Sequence, residues 1–262
     1  MIVSAVQFCP RLAMSAADVG DNLRKCEDLF HQTWKVGSEL VVFPELSFTG
    51  YTFLSGEEAV RVCEKFDGPT FRFMQSVALH MKSYVAWGYV ESDGSYLYNS
   101  GTLVGPDGKL LTRYRKINFF SCDFIWATPG KIAAPIVETD FGSMSMVICR
   151  DLRDKIPNNI PRVASDGKSL WNGGKVDIVA ACTNWGRSGG YPPTTFMDFV
   201  ADNHCTLVVA DRWGKEENTS HGDFVSDFGS GKSVIISPDW KVHTDGMIHG
   251  TDCVVTAVID RG

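Results

Sequence analysis

The apolar positions of the chain recur with two periods, one typical of strands and one typical of helices. Short apolar runs at 2–8 and 39–43 predict two strands. The apolar residues between them follow a helical spacing: Leu23, Cys26, Leu29, Phe30 and Trp34. A second helix is predicted from Pro69 to Met81, because proline suits the first helical position and the apolar residues after it share one face. The chain therefore opens with a β-α-β pattern followed by a helix.

The rest of the chain carries many strand patterns and few helical ones. We predict nine further strands, at 84–89, 97–104, 110–115, 136–139, 144–148, 176–181, 207–210, 233–236 and 254–259. Pro106-Asp107-Gly108 supplies a turn in a meander, and Phe141-Gly142 lies at the tip of a hairpin. A helix near 195–204 completes a second β-α-β unit. This composition favours two sheets packed face to face, with helices outside, over one doubly wound sheet.

The length and composition indicate one ordinary globular domain. The 262 residues are 44% apolar and 21% charged, and no repeat, low-complexity run or linker divides them. We therefore expect a single domain over 1–262. The net charge of −6 argues against a nucleic-acid partner, which would normally meet a clustered basic face, so a small-molecule partner is expected.

No targeting or membrane segment is evident in the sequence. The chain begins Met1-Ile2-Val3-Ser4 without a basic leader or a small-residue cleavage site, so we expect no signal peptide. No apolar run approaches the roughly 18 residues that span a bilayer, so we expect no membrane association. A cytoplasmic protein is the prediction.

The cysteines and histidines indicate neither disulfides nor a metal. The eight cysteines are widely spaced, since even the closest pair, Cys9 and Cys26, is seventeen residues apart. Reduced thiols are the better interpretation in an unsecreted chain of this length. The sequence contains no paired-thiol zinc motif, and its six histidines form no metalloprotease helix motif. We expect no metal.

Three polar residues stand directly after predicted strands: Glu45, Lys116 and Cys149. Active sites in α/β proteins gather at strand ends, where the sheet is rigid and the following loop is free. Each residue also has an ordinary explanation. A free cysteine is more often a core thiol than a nucleophile, Glu45 could be a helix-capping or surface acid, and Lys116 could belong to a solvated basic edge.

The segments around these residues resemble the nitrilase superfamily of carbon-nitrogen hydrolases. The segment 44–51 (Pro-Glu-Leu-Ser-Phe-Thr-Gly-Tyr) is similar to the family's catalytic-glutamate segment, 114–120 to its catalytic-lysine segment, and 147–153 to its nucleophile segment. Supporting matches are Asp67-Gly68-Pro69, Tyr98-Asn99-Ser100, Thr183-Asn184-Trp185 and Gly231-Lys232-Ser233. The resemblance extends from Val3 to about Asp260, in the family's order and rough spacing.

The resemblance implies that Cys149 is the nucleophile, Glu45 the base and Lys116, with the backbone N–H of Arg150, the stabiliser of the oxyanion. A thiol with an ordinary pKa of about 8.5 is mostly protonated at neutral pH and needs a base or a positive neighbour. A buried Glu45 should have a raised pKa, which suits it to accept the thiol proton and pass it to the departing amine. Water then removes the acyl group.

The family resemblance also implies an αββα four-layer sandwich of two mixed sheets, and a homodimer. Tyr51 and Trp185, with Arg150, are candidate substrate-binding or oxyanion residues. The pair Arg150-Asp151 favours an amidase over a true nitrilase, which typically has Trp-Glu there. We therefore predict an amidase for a small-molecule amide, with no cofactor. A nitrilase or an N-carbamoyl hydrolase with the same triad is the alternative.

Several positions depart from the family's pattern. Asp123, seven residues after Lys116, stands where the family often has glutamate, and we include it among the catalytic residues. It is one methylene shorter, so we expect it to keep the charge but not the reach. The family's Phe-Pro-Glu stretch reads Asp-Lys-Ile-Pro at 154–157, and its Arg-Ala-x-Glu-Asn helix reads Phe-Val-Ala-Asp-Asn at 199–203.

Arg150 is the most informative departure, because it replaces the family's usual aromatic residue beside the nucleophile. A guanidinium there could recognise a substrate carboxylate by a bidentate contact. An ion pair with Asp151 or Asp154 is an equally good interpretation from the sequence.

Three competing functions stay open at this point. The segment 229–233 ends in Gly-Lys-Ser like a phosphate loop, but the motif's first glycine would fall at Ser226, and 234–236 predicts a strand where a helix should begin. A cysteine-histidine hydrolase could use His204 or His221, since sequence distance does not forbid spatial contact. A non-enzymatic binding protein on the same fold is the third.

Overall fold

The computed structural model describes residues 1–153, 170–171, 174–186, 191–220, 224–243 and 250–260. The strands of these residues are β1 (Ile2–Gln7), β2 (Leu40–Val42), β3 (Tyr84–Ser92), β4 (Leu97–Val104), β5 (Leu110–Arg115), β6 (Val137–Thr139), β7 (Gly142–Ile148), β8 (Ile178–Thr183), β9 (Thr206–Asp211), β10 (Trp213–Asn218), β11 (Phe224–Ser230), β12 (Val234–Ile236), β13 (Val242–His243) and β14 (Cys253–Val258). The helices are α1 (Ala16–Lys25), α2 (Glu27–Lys35), α3 (Gly56–Val60), α4 (Pro69–Met81), α5 (Asp123–Trp126) and α6 (Thr194–Asn203), and a 3₁₀ helix spans Cys149–Leu152.

Two mixed six-stranded sheets form the centre of the protein. The first has the order β14-β1-β2-β3-β4-β5, and the second has the order β13-β12-β9-β8-β7-β6. In the first sheet β1, β2 and β3 are parallel and β3, β4 and β5 form the predicted antiparallel meander. In the second sheet β7, β8 and β9 are parallel, and β6 and β7 form the predicted hairpin. The predicted α/β architecture of two mixed sheets with helices is confirmed.

Alternation along the strands divides the apolar residues of the first sheet between two cores. Leu40 and Val42 of β2 belong to the core between the sheets, whereas Val41 belongs to the core beneath the helices. Trp87 of β3 and Met74 of α4 meet in that second core. Because successive strand side chains point to opposite faces, this sequence can bury both faces of the sheet. Each such burial stabilises the fold by about 1.5–3 kcal/mol.

Helix α4 has the bounds that the sequence predicts. Pro69 occupies its first turn, where a missing N–H has no cost, and Lys82 ends it in the left-handed conformation with φ of 53°. Helix α1 begins at the cap residue Ser15, whose side chain accepts a hydrogen bond from the N–H of Asp18. None of the described helices is long and apolar enough to cross a membrane.

The structure departs from the predicted elements at several points, including the following three. The single helix expected before β2 is two helices, α1 and α2, which meet at Cys26. The strand expected at 176–181 spans Ile178–Thr183. The hairpin β10–β11 has no counterpart among the predicted elements, because Trp213–Asn218 reads Trp-Gly-Lys-Glu-Glu-Asn and lacks apolar alternation.

Candidate active site

The predicted strand-end residues lie at the carboxyl ends of three strands. Glu45 follows β2 and Lys116 follows β5 in the first sheet, whereas Cys149 follows β7 in the second. All three residues are buried, with exposed fractions of 0%, 1% and 4%. The N–H of Glu45 donates to the carbonyl of Thr183 at the end of β8, at 3.3 Å, and so joins the two sheets at this edge.

A buried polar cluster surrounds the ammonium of Lys116. Its Nζ donates to Oε1 of Glu45 and to Oδ2 of Asp123, both at 2.6 Å. Nδ2 of Asn99 bridges the same two acids, at 2.7 Å from Oε1 of Glu45 and 2.9 Å from Oδ1 of Asp123. The expectation that Asp123 lacks reach is therefore wrong: the shorter acid contacts Lys116 directly. The N–H of Phe120 also donates to Asp123, at 2.9 Å, and fixes its carboxylate.

Lys116 and Asn99 bind the same oxygen of Glu45 and leave its other oxygen unengaged. Oε2 of Glu45 is buried and has no hydrogen-bond partner among the described residues. Burial raises the pKa of Glu45 above its usual value, and the ammonium of Lys116 opposes this rise. Burial alone would lower the pKa of Lys116, but the carboxylates of Asp123 and Glu45 outweigh it and raise this pKa above the usual value. The lysine therefore stays charged, while the glutamate is poised to take or give a proton.

Cys149 occupies a strained backbone position at the start of the 3₁₀ helix. Its φ is 46°, in the left-handed region that a residue with a Cβ rarely adopts. The thiol donates to the carbonyl of Asn184, which follows β8, over 3.7 Å. Burial raises the pKa of Cys149 well above its usual value, Glu45 adds to the rise, and Lys116 opposes it. The resting cysteine is therefore a thiol, which needs a base to react.

The backbone around Glu45 depends on a glycine in the neighbouring strand. A Cβ on Gly88 of β3 would lie 2.6 Å from the N atom of Leu46 and 3.0 Å from the Cα of Glu45. Leu46 itself has a φ of 47°. Gly88 thus allows the segment after β2, which contains Glu45, to pass close to β3.

Tyr51 and the hairpin β10–β11 hold the loop that follows Glu45. The Tyr51 hydroxyl donates to the carbonyl of Phe120, and Nζ of Lys116 lies 5.8 Å from the centre of the Tyr51 ring. Glu216 of β10 accepts hydrogen bonds from the N–H groups of Tyr51, at 2.9 Å, and of Thr52, at 2.5 Å. Tyr51 is therefore fixed at the cluster by contacts to both of its ends.

The contacts of Asp151 test whether it forms the ion pair with Arg150 that the sequence allowed. The carboxylate of Asp151 accepts from the Tyr114 hydroxyl at 2.9 Å and from the N–H of Asn118 at 2.8 Å. No ion pair joins it to Arg150 in the described part of the chain, so the proposed Arg150–Asp151 pair is wrong. Asp154 and the rest of the stretch 154–157 lie outside the described residues.

Trp185 lies beside the nucleophile segment. Its backbone N–H donates to Oδ1 of Asp211 at 2.7 Å, and its ring packs edge-on against Phe196 with centroids 4.8 Å apart. The guanidinium carbon of Arg153 lies 4.9 Å from the Trp185 ring centre. Trp185 thus places an aromatic ring directly after Asn184, whose carbonyl accepts the hydrogen bond of the Cys149 thiol.

Four residues of the site have no role assigned from the sequence, although Asn99 and Asn184 lie in segments that resemble the family. Asn99, Asn184, Asp211 and Glu216 all bind parts of the site. Asn99 carries a weak signal, because it is a polar residue inside an apolar strand. Glu216 carries none, since its partner Tyr51 is 165 positions away.

The structure bears on two of the competing functions, the phosphate loop and the cysteine-histidine hydrolase. Val234–Ile236 is a strand, so the phosphate-loop interpretation is excluded by its context. His204 lines a cavity of about 480 Å³ with Asp177 and Thr206, at the starts of β8 and β9. Cys149 lies at the opposite strand ends, roughly 16 Å away at the rise of a strand, so His204 does not serve it. His221 lies outside the described residues, and within the described ones no group of three or more His, Cys, Asp or Glu could hold a metal ion.

Comparison with known proteins decides the family. The sequence model of the carbon-nitrogen hydrolases matches residues 2–262. The chain belongs to the carbon-nitrogen hydrolase family. A nitrilase of Pyrococcus abyssi is 31% identical over 241 residues, which cover 92% of this chain and 82% of that protein. A protein N-terminal amidase of Schizosaccharomyces pombe is 27% identical, over 90% of this chain and 94% of its own length.

Solved carbon-nitrogen hydrolase structures agree in fold. A C145S mutant of the Nesterenkonia AN1 amidase from the nitrilase superfamily aligns with a TM-score of 0.74 and 16% identity, over 99% of this chain and 92% of that one. At this identity the likeness concerns the fold alone. The predicted membership of the nitrilase superfamily is confirmed, and the protein is a carbon-nitrogen hydrolase.

Proposed function

We propose that the protein is an amidase that hydrolyses a small-molecule amide through an acyl-enzyme on Cys149. The observation that carries the proposal is the unequal hydrogen bonding of the two carboxylate oxygens of Glu45. One of its oxygens is bound by Lys116 and Asn99, while the other is buried without a described partner. A carboxylate that is fixed but incompletely satisfied, with a raised pKa, beside a protonated thiol is suited to general base catalysis.

The first half of the reaction forms the acyl-enzyme. Glu45 takes the proton of the Cys149 thiol as the sulfur attacks the amide carbon, and the C=O bond opens to an oxyanion. The ammonium of Lys116 and the backbone N–H of Arg150 stabilise the negative oxygen. Glu45 then gives its proton to the nitrogen, the carbon-nitrogen bond breaks, and ammonia or an amine leaves.

The second half regenerates the enzyme. Glu45 accepts a proton from water as the water oxygen attacks the thioester carbon. The second tetrahedral intermediate is stabilised by the same donors. It collapses with loss of the Cys149 thiolate, which recovers the proton from Glu45 as the carboxylic acid product departs. Asp123 positions Lys116 and keeps it charged throughout, because it binds the ammonium at 2.6 Å.

Two substrate classes compete with amides for this triad. Nitriles and N-carbamoyl compounds present an electrophilic carbon to the same three residues, and one relative is named a nitrilase. Arg150-Asp151 after the nucleophile and the relatives named amidases favour amides. The acrylamide adduct on the active-site cysteine of the Nesterenkonia amidase is that protein's own, and it supports a reactive cysteine at the equivalent place here.

An ammonia-release screen tests the proposal. Purified protein is incubated with small amides, the matching nitriles, N-carbamoyl amino acids and ω-amides, and ammonia is quantified against Cys149→Ala. We expect release from amides at rates well above release from nitriles. Turnover of nitriles alone would contradict the amidase assignment. The homodimer and the cytoplasmic location remain predictions of the family resemblance, and light scattering tests the first.

A further inference from the structure

Arg150 places a positive charge in the site without a described counter-charge. Its side chain is 6% exposed, and its Nε is buried without a hydrogen-bond partner among the described residues. The contact that the guanidinium does make is with the face of Phe120, 5.7 Å from the ring centre. A buried cation that is not paired is costly, and an anionic group of a ligand would remove this cost.

The acids of the site are already engaged. Glu45 and Asp123 share Lys116 and Asn99, and Asp151 binds the Tyr114 hydroxyl and the N–H of Asn118. These contacts hold each carboxylate in a fixed orientation. The described part of the chain therefore offers Arg150 no carboxylate with which it forms an ion pair.

A second guanidinium increases the local positive charge. Arg153 lies over the Trp185 ring, and it too has no ion pair with an acid of the described residues. Burial lowers the pKa of Arg150, and the charge of Arg153 lowers it further. Cys149, Tyr51 and Asp123 are close enough to act on the same pKa in the opposite direction, which places the guanidinium at the reaction site. An anion bound here would relieve the repulsion between the two arginines.

We propose that Arg150, supported by Arg153, binds a carboxylate of the substrate, so that the preferred amides carry a free carboxylate. This inference rests on the amidase function proposed above. The planar fork of a guanidinium matches a carboxylate with two parallel hydrogen bonds and therefore orients it as well as attracting it. Since Arg150 directly follows the nucleophile, the carboxylate would be held beside the scissile bond.

The substrate carboxylate could lie on either side of the scissile carbon-nitrogen bond. The carboxylate can belong to the acyl half, as in a monoamide of a dicarboxylic acid, or to the amine half, as in an N-acyl amino acid. Matched substrates separate these sources. Succinamate and butyramide differ by a carboxylate on the acyl half, and N-acetylglycine and N-ethylacetamide differ by one on the amine half. The half whose carboxylate raises kcat/KM identifies the source.

The test measures kcat/KM for these pairs with the wild-type protein and its variants. We expect the anionic member of one pair to exceed its neutral counterpart by at least about 30-fold, the range for losing one partner of a buried charge pair. In Arg150→Gln this ratio should fall toward one, mainly through KM, and Arg150→Lys should restore part of it. Arg153→Gln should reduce the ratio less. Arg24→Gln, an exposed arginine of α1 paired with Asp21, is the matched control and should leave the ratio unchanged.

A binding measurement makes the inference independent of turnover. Succinate, the product of succinamate hydrolysis, should slow the alkylation of Cys149 by iodoacetamide in the wild-type protein and should do so far less in Arg150→Gln. Equal kcat/KM for anionic and neutral amides, with no protection by succinate, would overturn the carboxylate site and leave the amidase function standing. Protection by succinate without release of ammonia or an amine from any amide would support the carboxylate site and overturn the amidase proposal. An equal loss on both members of a pair in Arg150→Gln would assign the residue a structural role instead.

Discussion

Lys116 donates to Oε1 of Glu45 at 2.6 Å, and Oε2 of the same carboxylate has no hydrogen-bond partner among the described residues. The lysine thus fixes the orientation of the carboxylate through one oxygen and leaves the other available for the proton transfer that we propose. The same ammonium is held by Asp123, so it does not need to leave Glu45 in order to remain charged. This division of contacts lets the proposed base and the proposed oxyanion stabiliser lie in direct contact while one oxygen of Glu45 stays unengaged.

Cys149 should be the thiol that reacts first with a substrate-like alkylating agent. It is buried and protonated at rest, but the charges of both Glu45 and Lys116 act on its pKa, which places the thiol at the polar cluster around Lys116. We expect sub-stoichiometric iodoacetamide to modify Cys149 preferentially, as mapped by mass spectrometry, and Cys149→Ala to lose at least several orders of magnitude in kcat. Cys63 is a partly exposed thiol that is distant in sequence from Cys149, so Cys63→Ala is the control and should retain activity. Loss of activity on labelling of a different cysteine would sink this assignment.

The raised pKa of Glu45 predicts an acid limb in the pH profile of kcat/KM, a fall in this value at low pH. The free enzyme needs Glu45 ionised to accept the thiol proton, and burial raises the pKa of this acid above the usual 4.5. The value of kcat/KM should therefore fall as the pH decreases through a pKa above 4.5. Glu45→Gln should lower kcat/KM by about 100- to 10,000-fold, the range for losing a general base, and should abolish this limb. An unchanged limb in Glu45→Gln would assign it to another group.

Asp151 predicts a pH dependence of stability with the opposite sign from that of an acid whose pKa is lowered by folding. Burial raises the pKa of Asp151 from 3.8 to about 6 in the folded protein. The unfolded chain loses this proton at lower pH, so the contribution of Asp151 to stability is present below the unfolded pKa and is lost as the pH rises through about 6. Asp151→Asn keeps a neutral side chain there. Relative to the wild type, its free energy of unfolding should rise by on the order of 2 to 3 kcal/mol between about pH 4 and pH 7. Urea titrations at a series of pH values measure this difference, and a flat difference would contradict it.

Glu216 should stabilise the active-site loop from a distant hairpin. It is 6% exposed, pairs with Arg212, and accepts the N–H groups of Tyr51 and Thr52. Glu216→Gln leaves a buried guanidinium without its acid, which should lower the Tm by on the order of 10 °C, as expected for a broken buried pair in a protein of this size. Glu217→Gln changes the exposed neighbour on the same strand and should leave the Tm within about 1 °C. Equal melting temperatures for both variants would show that the contacts of Glu216 with Arg212, Tyr51 and Thr52 do not stabilise the fold.

The sequence predicts the site's centre because its residues terminate apolar strands. Glu45, Lys116 and Cys149 each follow a run whose alternation or continuity is readable locally, and strand ends of parallel sheets gather at one edge. The two-sheet architecture follows from the same runs. These parts of the prediction rest on periods of a few residues, which a single sequence displays directly.

The parts that escape prediction depend on contacts between distant residues. Glu216 reaches Tyr51 across 165 positions, and no local pattern connects them. Asn99 lies in a segment that resembles the family, but its role becomes visible only when the fold places it between Glu45 and Asp123. The break at Cys26 escapes because an apolar residue continues the helical spacing while the backbone ends α1. Burial and pairing, which give these residues their roles, are properties of the folded chain.

Asp123 should act on the reaction through Lys116. Its carboxylate binds the ammonium at 2.6 Å, Asn99 at 2.9 Å and the N–H of Phe120 at 2.9 Å, in a fully buried setting. Asp123→Asn keeps the shape of the side chain but removes a charge that holds Lys116 protonated and in place. We expect kcat to fall by about 10- to 1000-fold, the range for weakening oxyanion support, with KM changed less.

Asp123→Glu separates a positioning role from a structural one. The longer acid restores the charge that the family's glutamate supplies, so it should recover a substantial part of kcat, whereas a purely structural site would reject the extra methylene as much as the amide. The pH profile gives a second measurement: with the Asp123 charge removed, the pKa of Lys116 loses one of the two carboxylates that raise it, so activity in Asp123→Asn should decline at a lower alkaline pH than in the wild type. Wild-type kcat and KM in Asp123→Asn, on the best amide found, would mean that Glu45 alone holds the lysine and that the catalytic set is the triad of Glu45, Lys116 and Cys149.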